Sequence, residues 1–361
     1  MPDDQHADDQ HADDRGADDR GADDRRDGTR PADEGPTDDA PTDQTPTDQA
    51  PREHEPDDSS PSDVFGLLAD DSRIEILEAL ARAQHEREGV NAGPAALRFS
   101  EIYDRVDVDG TSKLSYHLGE LTGVFVRKSE AGYGFTHAGE RLVRFVLSGN
   151  YRDPRAFDPV DVDGTCIHCG GEALEATLDE QFFLVRCRDC ARPVNAYHVS
   201  PAQVRDASGM ALIERIVDRQ TAEIDLARRG ICPDCAGPLA TEVRTIPEEL
   251  GMDAVEFYAV EECSACLRRV SNPLPLRLAY HPASVAFHWE AGIDVTERGV
   301  WELAEHLRAG RWDAERTATD PDEYVVHYRR DDATLRLHLD AEAAVTGTER
   351  VRRTDVDGDG H

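Results

Sequence analysis

Hydrophobic positions begin abruptly at Val64. Between Met1 and Val64 there is no Ile, Leu, Val, Phe, Tyr or Trp. The stretch runs in five-residue units, ADDQH, ADDRG and ADDRR and then PTDDA, PTDQT and PTDQA, with 22 acidic residues and six arginines. Nothing in it offsets the entropy of ordering a chain, so residues 1–61 are expected to be a disordered acidic tail.

From Val64 onward the pattern turns helical. Val64, Leu67 and Leu68 make a short amphipathic turn. Ser72-Arg-Ile-Glu75 has the form of a capping box, after which Ile74, Leu77, Leu80 and Ala81 recur at helical spacing. A polar loop spans 85–98. Ser100 opens a short helix with Ile102, Tyr103 and Val106 inward, and 107–110 is a turn. A helix over about 111–122 carries Leu114, Leu118 and Leu121 on its core side. Residues 124–128 alternate as a strand, Ala131-Gly132 turns, and 133–136 returns. Leu142, Val143, Val146 and Leu147 then mark an amphipathic helix. Helices, a helix–turn–helix, a hairpin and a closing helix make a winged helix, which the pattern predicts over 62–150.

Further on, residues 181–186 read as a strand in which Phe182 and Phe183 point to opposite faces. A helix over 209–229 keeps Ile213, Ile216, Val217, Ile224 and Ala227 on one stripe and stops at Gly230. His281-Pro282 opens a helix through Trp289. Val300, Leu303, Ala304 and Leu307 line another, ended at Gly310. Tyr324, Val326 and Tyr328, and then Leu335, Leu337 and Leu339, alternate with polar residues around Asp331-Asp332, a hairpin signal.

Cysteines divide this region. All eight fall into four Cys-x-x-Cys pairs: Cys166/Cys169, Cys187/Cys190, Cys232/Cys235 and Cys263/Cys266. Each pair turns two thiolates toward one point, and two pairs close a tetrahedron of soft ligands that suits zinc. The intervening 17 and 27 residues each fit two short strands and a turn, the layout of a zinc ribbon. Gly170, Gly171 and Gly237 follow first knuckles and are expected to take positive φ. Disulfides or an iron site with the same ligands are the competing readings.

The predicted organisation is α+β and multidomain. A tail (1–61) precedes a winged helix (62–150), a first zinc ribbon (160–200), a linker helix (201–230) and a second ribbon (231–276). A small C-terminal α/β unit (280–352) and a frayed end (353–361) follow. Two zinc ions are the expected cofactors, with no open coordination position and hence a structural role.

Composition refines this picture. The formal charge is −35, with two lysines, Lys113 and Lys128, against 38 of the 40 basic residues as arginine. Such an acidic, lysine-poor chain resembles proteins of salt-accumulating haloarchaeal cytoplasm, so much of its charge answers the solvent and says little about partners. No stretch is apolar enough to span a bilayer and the first residues do not read as an export signal, so a cytoplasmic protein without membrane contact is expected.

Both lysines fall in the third helix and the hairpin. Residues 111–128 hold Lys113, Arg127 and Lys128 against Glu120, a local balance of 3 − 1 = +2. That reversal points to a nucleic-acid face. With the leucines inward, Thr111, Ser112, Lys113, Ser115 and Tyr116 face outward, and the hairpin adds Arg127, Lys128 and Tyr133. His117 lies beside the Leu114 stripe and reads as a packed residue.

The segments LLADDSRIEILEAL and TSKLSYHLGELTGVFVRK resemble the ArsR-type winged-helix repressors, with their Ser-x-His-Leu recognition helix. The arrangement over 62–350, with paired ribbons and HPASVAFHWEAGIDV, is similar to a haloarchaeal group of winged-helix proteins with zinc-ribbon-like C-terminal regions. The resemblance implies a DNA-binding transcriptional regulator contacting double-stranded DNA through Ser112, Lys113, Ser115, Tyr116 and His117. The metal-sensing members carry a cysteine pair before the turn. This chain has Ser100-Glu-Ile-Tyr-Asp there, so metal sensing at that place is not implied. A homodimer and the transcription machinery are the further candidate partners, the latter through an adaptor role for the ribbons. No phosphate loop, His-Glu-x-x-His or Gly-x-Ser-x-Gly motif is present, and a non-enzymatic role is expected. The Asp355–Gly360 run imitates a calcium loop but lacks the acid at its twelfth position.

Overall fold

Ser60 caps the first helix, α1 (Pro61–Gly66), and Pro61 occupies a position whose N–H would have no intrahelical partner. The computed structural model describes residues 60–87, 96–247, 252 and 254–352. The expectations for the tail before Ser60, for most of the 85–98 loop and for the end beyond residue 352 lie outside these residues. All described residues belong to one compact unit.

α2 (Asp71–Glu86) starts earlier than its sequence suggests. Asp70 is the cap, its carboxylate accepting from the Ser72 N–H at 2.9 Å. The capping box read at Ser72 does not form; Glu75 instead accepts from the Asp107 N–H at 3.3 Å, steadying the turn before α4. α3 (Phe99–Tyr103), α4 (Thr111–Leu121), the hairpin β1 (Val126–Ser129) and β2 (Gly132–Phe135), and α5 (His137–Ser148) follow in the order read from the pattern. Ile76, Leu77, Leu80, Ile102, Leu114, Leu118 and Leu121 form their shared core. Ile74 and Ala81 are only half-buried, because α2 turns Ile76, Ala79 and Ala83 inward. Leu97 exchanges backbone hydrogen bonds of 2.8 and 2.9 Å with Tyr133, extending the hairpin by a third short stretch.

Four antiparallel strands come next, side by side in chain order: β3 (Val160–Val162), β4 (Leu174–Asp179), β5 (Phe182–Cys187) and β6 (Pro193–His198). Phe183 is fully buried against Trp301, with rings 5.7 Å apart, while Phe182 stays exposed. The short α6 (Pro201–Val204) precedes α7 (Gly209–Arg228), which ends as its sequence indicates at Gly230, with φ of 75°. Leu212, Ile213, Ile216 and Val217 of α7 pack into the core of the first sheet. Ile224, two turns on, packs into the next core, so one helix spans both.

β7 (Leu239–Thr245), β8 (Phe257–Cys263) and β9 (Arg269–Pro273) form the second small sheet. β9 runs directly into α8 (Leu274–Ala279), a helix absent from the sequence reading and buried at every residue. α9 (Pro282–Trp289) and α10 (Val300–Arg308) cover a four-stranded meander of β10 (Trp312–Thr319), β11 (Asp322–Arg329), β12 (Ala333–Leu339) and β13 (Val345–Arg352). The expected hairpin is β11–β12; β10 and β13 are added on its two edges. Phe257 and Ala259 of β8, α8 and the inner faces of β11 and β12 share one core, so buried side chains run continuously from the second small sheet into the C-terminal sheet.

His306 on α10 gives this core a pH response. Its ring stacks on Trp312, with centroids 4.8 Å apart, and its Nδ1 accepts from Arg311 Nε at 2.9 Å. Burial, with the charges of Arg311 and His288 adding, pulls its pKa from 6.5 to about 4. Between those values the folded ring is neutral while the unfolded one takes a proton. Unfolding therefore binds protons, and this site's stability falls as the pH drops from 6.5 through about 4. A His306→Gln variant should lose Tm less steeply over that interval than the parent in scanning calorimetry; equal slopes would remove His306 from the account.

Candidate metal centres and nucleic-acid face

Four knuckles of identical backbone build two thiol clusters. In each, the N–H four residues after the first cysteine donates back to that cysteine's carbonyl: Gly170 to Cys166, Ala191 to Cys187, Ala236 to Cys232 and Leu267 to Cys263, at 2.8 to 2.9 Å. The cysteine's own N–H donates to the carbonyl one residue further on, at 2.8 to 3.0 Å. The loop closes only if the residue after the second cysteine is left-handed. Its φ is 79° at Gly170, 60° at Ala191, 61° at Ala236 and 63° at Leu267.

This corrects one expectation. Gly170 takes positive φ, but Gly171 and Gly237 do not; alanines and a leucine carry the strained angle in the other knuckles. Room beside them is limited, by a movable side chain at Gly171 and by a cysteine sulfur at Gly237. A Cβ on Gly171 would sit 2.1 Å from Asp189 Oδ2, and one on Gly237 would sit 3.2 Å from Cys235 Sγ.

Cys166, Cys169, Cys187 and Cys190 bring their sulfurs together, as do Cys232, Cys235, Cys263 and Cys266, each set within 4.8 Å. The closest contacts are 3.7 Å in the first cluster and 3.5 Å in the second. A disulfide needs about 2.05 Å, so all eight thiols are free. A tetrahedron of sulfurs about 2.3 Å from a central ion has edges of about 3.8 Å, close to what is seen. The N–H groups of Gly171 and Gly237 donate to Cys169 and Cys235 at 3.4 Å, as suits thiolates. Burial pushes the Cys166 thiol up to about 12, so that sulfur needs a cation beside it to ionise. The two four-cysteine sites are thus positioned to bind a metal ion each.

The nucleic-acid candidates separate by side of α4. Thr111, Ser112, Lys113, Ser115 and Tyr116 are all exposed. His117 is not on that face: it is 2% exposed, its Nδ1 accepting from Arg73 Nε at 3.4 Å with Asp70 3.9 Å away. Its place between Leu114 and Leu118 puts it on the inward stripe. In the hairpin Arg127 and Lys128 are exposed and Tyr133 is half-buried, with Lys128 Nζ 5.5 Å from the Tyr133 ring. The guanidinium of Arg73, missed in the sequence reading, lies 5.9 Å over Tyr116 and 3.6 Å from Glu120, so it holds the ring and answers the one acid of α4. Asp107, Asp109 and Glu130 flank the face as exposed carboxylates.

Residues 163–345, both four-cysteine sites included, match a family model described as Domain of unknown function (DUF7351), and residues 61–146 match one described as Domain of unknown function (DUF7347). The stretch between the matches holds the end of α5 and the short edge strand β3. No curated protein and no solved structure matches the chain. Among the described residues no helix is long and apolar enough to cross a membrane.

Proposed function

For a chain that belongs to the DUF7351 family, we propose the role of a sequence-specific transcriptional regulator that grips duplex DNA with a winged helix. In this reading α4 is the recognition helix and β1–β2 the wing, and two structural zinc ions hold the ribbons of the C-terminal part. The observation that carries it is the outward face of α4: two hydroxyls, a lysine and a tyrosine lie exposed together while the leucines behind them are sealed in the core. Eleven residues of helix span about 16 Å, enough to lie along a major groove about 12 Å wide. Ser112 and Ser115 suit phosphate oxygens or base edges, Lys113 suits phosphate or guanine, and Tyr116 suits a sugar or a thymine methyl. Arg127 and Lys128 reach backbone phosphates from the wing. Cytoplasm is the compartment that fits free thiols holding zinc.

Replacing Lys113 and Tyr116 together by alanine is expected to weaken retention of selected genomic fragments at least tenfold, with the circular dichroism unchanged because both side chains are exposed. Two contacts at about 1–3 kcal/mol each set that scale. Undiminished retention would reject the reading.

One observation favours a second reading, an adaptor that docks on RNA polymerase or a basal factor through the ribbons. Leu267, at the tip of the fourth knuckle, is 85% exposed. A single exposed leucine is ordinary on a protein surface, but at a knuckle tip it would give a docking partner an apolar contact. Polymerase recovery that survives the Lys113 and Tyr116 replacements but fails with Leu267→Ser would select it.

A further inference from the structure

We propose that the cleft between α5 and the C-terminal body binds a small phosphate-bearing anion. The cleft encloses about 1010 Å³. Arg141 and Arg144, one helical turn apart on α5, form one wall; Arg219 of α7 and Arg268 of the fourth knuckle stand on the other. Four arginines thus meet two acids, Glu223 and Asp234, in a chain whose overall charge is −35.

The two acids are already answered. Arg219 holds Glu223 at 2.7 Å, and Arg268 lies 3.7 Å from Glu223 and 3.6 Å from Asp234. Positive charge is left over, and so are donors. Arg144 is engaged by Glu140 at 2.7 Å, but Arg141 has no ion-pair or hydrogen-bond partner among the described residues. Gln203 accepts from the Ser200 N–H at 2.8 Å through Oε1, while its buried Nε2, beside the Tyr197 hydroxyl, makes no well-aligned hydrogen bond. Arg268 Nε is buried and makes no hydrogen bond; the carboxylate it faces, Asp234, stands 3.6 Å off. The free Arg141 guanidinium and the buried, unmatched Gln203 amide leave room for an occupant with oxygens to spare. A tetrahedral oxyanion presents several at once and suits arginine forks.

The rim adds an aromatic surface. Phe145, 47% exposed, lines the cleft and lies 6.3 Å from the exposed ring of Tyr151. A base carried on the phosphate would have a face to lie on. The shared chemistry is the phosphate group; whether it comes free or on a nucleotide is a matter for experiment. The site stands apart from the α4 face and does not depend on DNA binding there.

Equilibrium dialysis of the full chain, at fixed chloride and pH, against radiolabelled inorganic phosphate and separately against AMP is the test. We expect saturable binding of one ligand per chain, weakened at least tenfold when Arg141 and Arg144 are both glutamine and unaltered when Lys113 and Tyr116 are alanine. Because Arg141 and Arg144 are exposed, the double variant should melt as the parent does. AMP binding more tightly than phosphate, with the difference lost in Phe145→Ala, assigns the nucleotide; equal binding assigns the free anion. No saturable binding of either probe, or binding indifferent to the arginine replacements, overturns the proposal.

Discussion

If each four-cysteine site holds a metal as proposed, a strong chelator is expected to unfold both sites and take most of the C-terminal structure with them. Structural zinc contributes about 10–16 kcal/mol in small zinc modules, as much as the entire stability of an ordinary domain. Here the ligands do not sit on a separable appendage. Cys166 and Cys187 are fully buried and belong to the same cluster as Phe183, Ile216 and Trp301. Ile167, inside the first knuckle, packs in the C-terminal core. Loss of the tetrahedron therefore opens two cores, and α7, which spans both, loses its packing at each end. Elemental analysis of the native protein should find two ions per chain, zinc rather than iron, with no visible absorption of an iron–thiolate centre. Cys187→Ser, at the buried end of β5, should lower the Tm by more than about ten degrees or prevent folding, given a loss on that scale. An intact protein with near-zero metal, or an unchanged melt after chelation, would refute the assignment.

How legible these features were in the sequence depends on how local their causes are. The cysteine pairs could be read because a knuckle is a short closed loop whose ligands are fixed by spacing. α7 could be read to its end because twenty residues carry one stripe and a glycine stops it. The leucines of α4 were equally plain. What escaped notice was set by distant partners. β10 and β13 are edge strands, WDAERTAT and VTGTERVR, whose largely exposed residues show little alternation until β11 and β12 supply their hydrogen bonds. α8 is six apolar-rich residues with Pro273 just before it and Pro275 in its first turn, too short for a period to declare itself, and it is a helix because β8, α7 and the meander surround it. Asp70 won the cap over Ser72 because its carboxylate reaches the Ser72 N–H. The position of His117 between two core leucines could have been given more weight than its place in a motif. No local pattern announces that Arg141 and Arg268, 127 residues apart in sequence, face one cleft.

Arg277→Leu is expected to destabilise the protein by about 3–5 kcal/mol, the cost of leaving one member of a buried ion pair alone. Arg277, 3% exposed on α8, donates from Nε to Glu261 Oε1 at 2.5 Å, and Glu261 on β8 has no exposure at all. The same guanidinium donates to the Ala343 carbonyl at 2.9 Å, between β12 and β13, and to the Arg228 carbonyl at 3.4 Å, at the end of α7. One side chain thus ties β8, α7 and the C-terminal sheet together. Burial raises the Glu261 carboxyl above its ordinary range, against the pull of Arg277. Without Arg277 that carboxyl would be forced to protonate in the folded state, so the variant should recover part of its stability on acidification, where the unfolded carboxyl is protonated too. Because the pair is costly to desolvate, replacing both partners with apolar residues of similar size, Glu261→Leu with Arg277→Met, should be far less damaging than either change alone. Denaturant unfolding of the four proteins in that cycle measures the coupling. Single losses that simply add, with no excess in the double variant, would mean that Arg277 acts through its carbonyl contacts and that the pair itself contributes nothing specific.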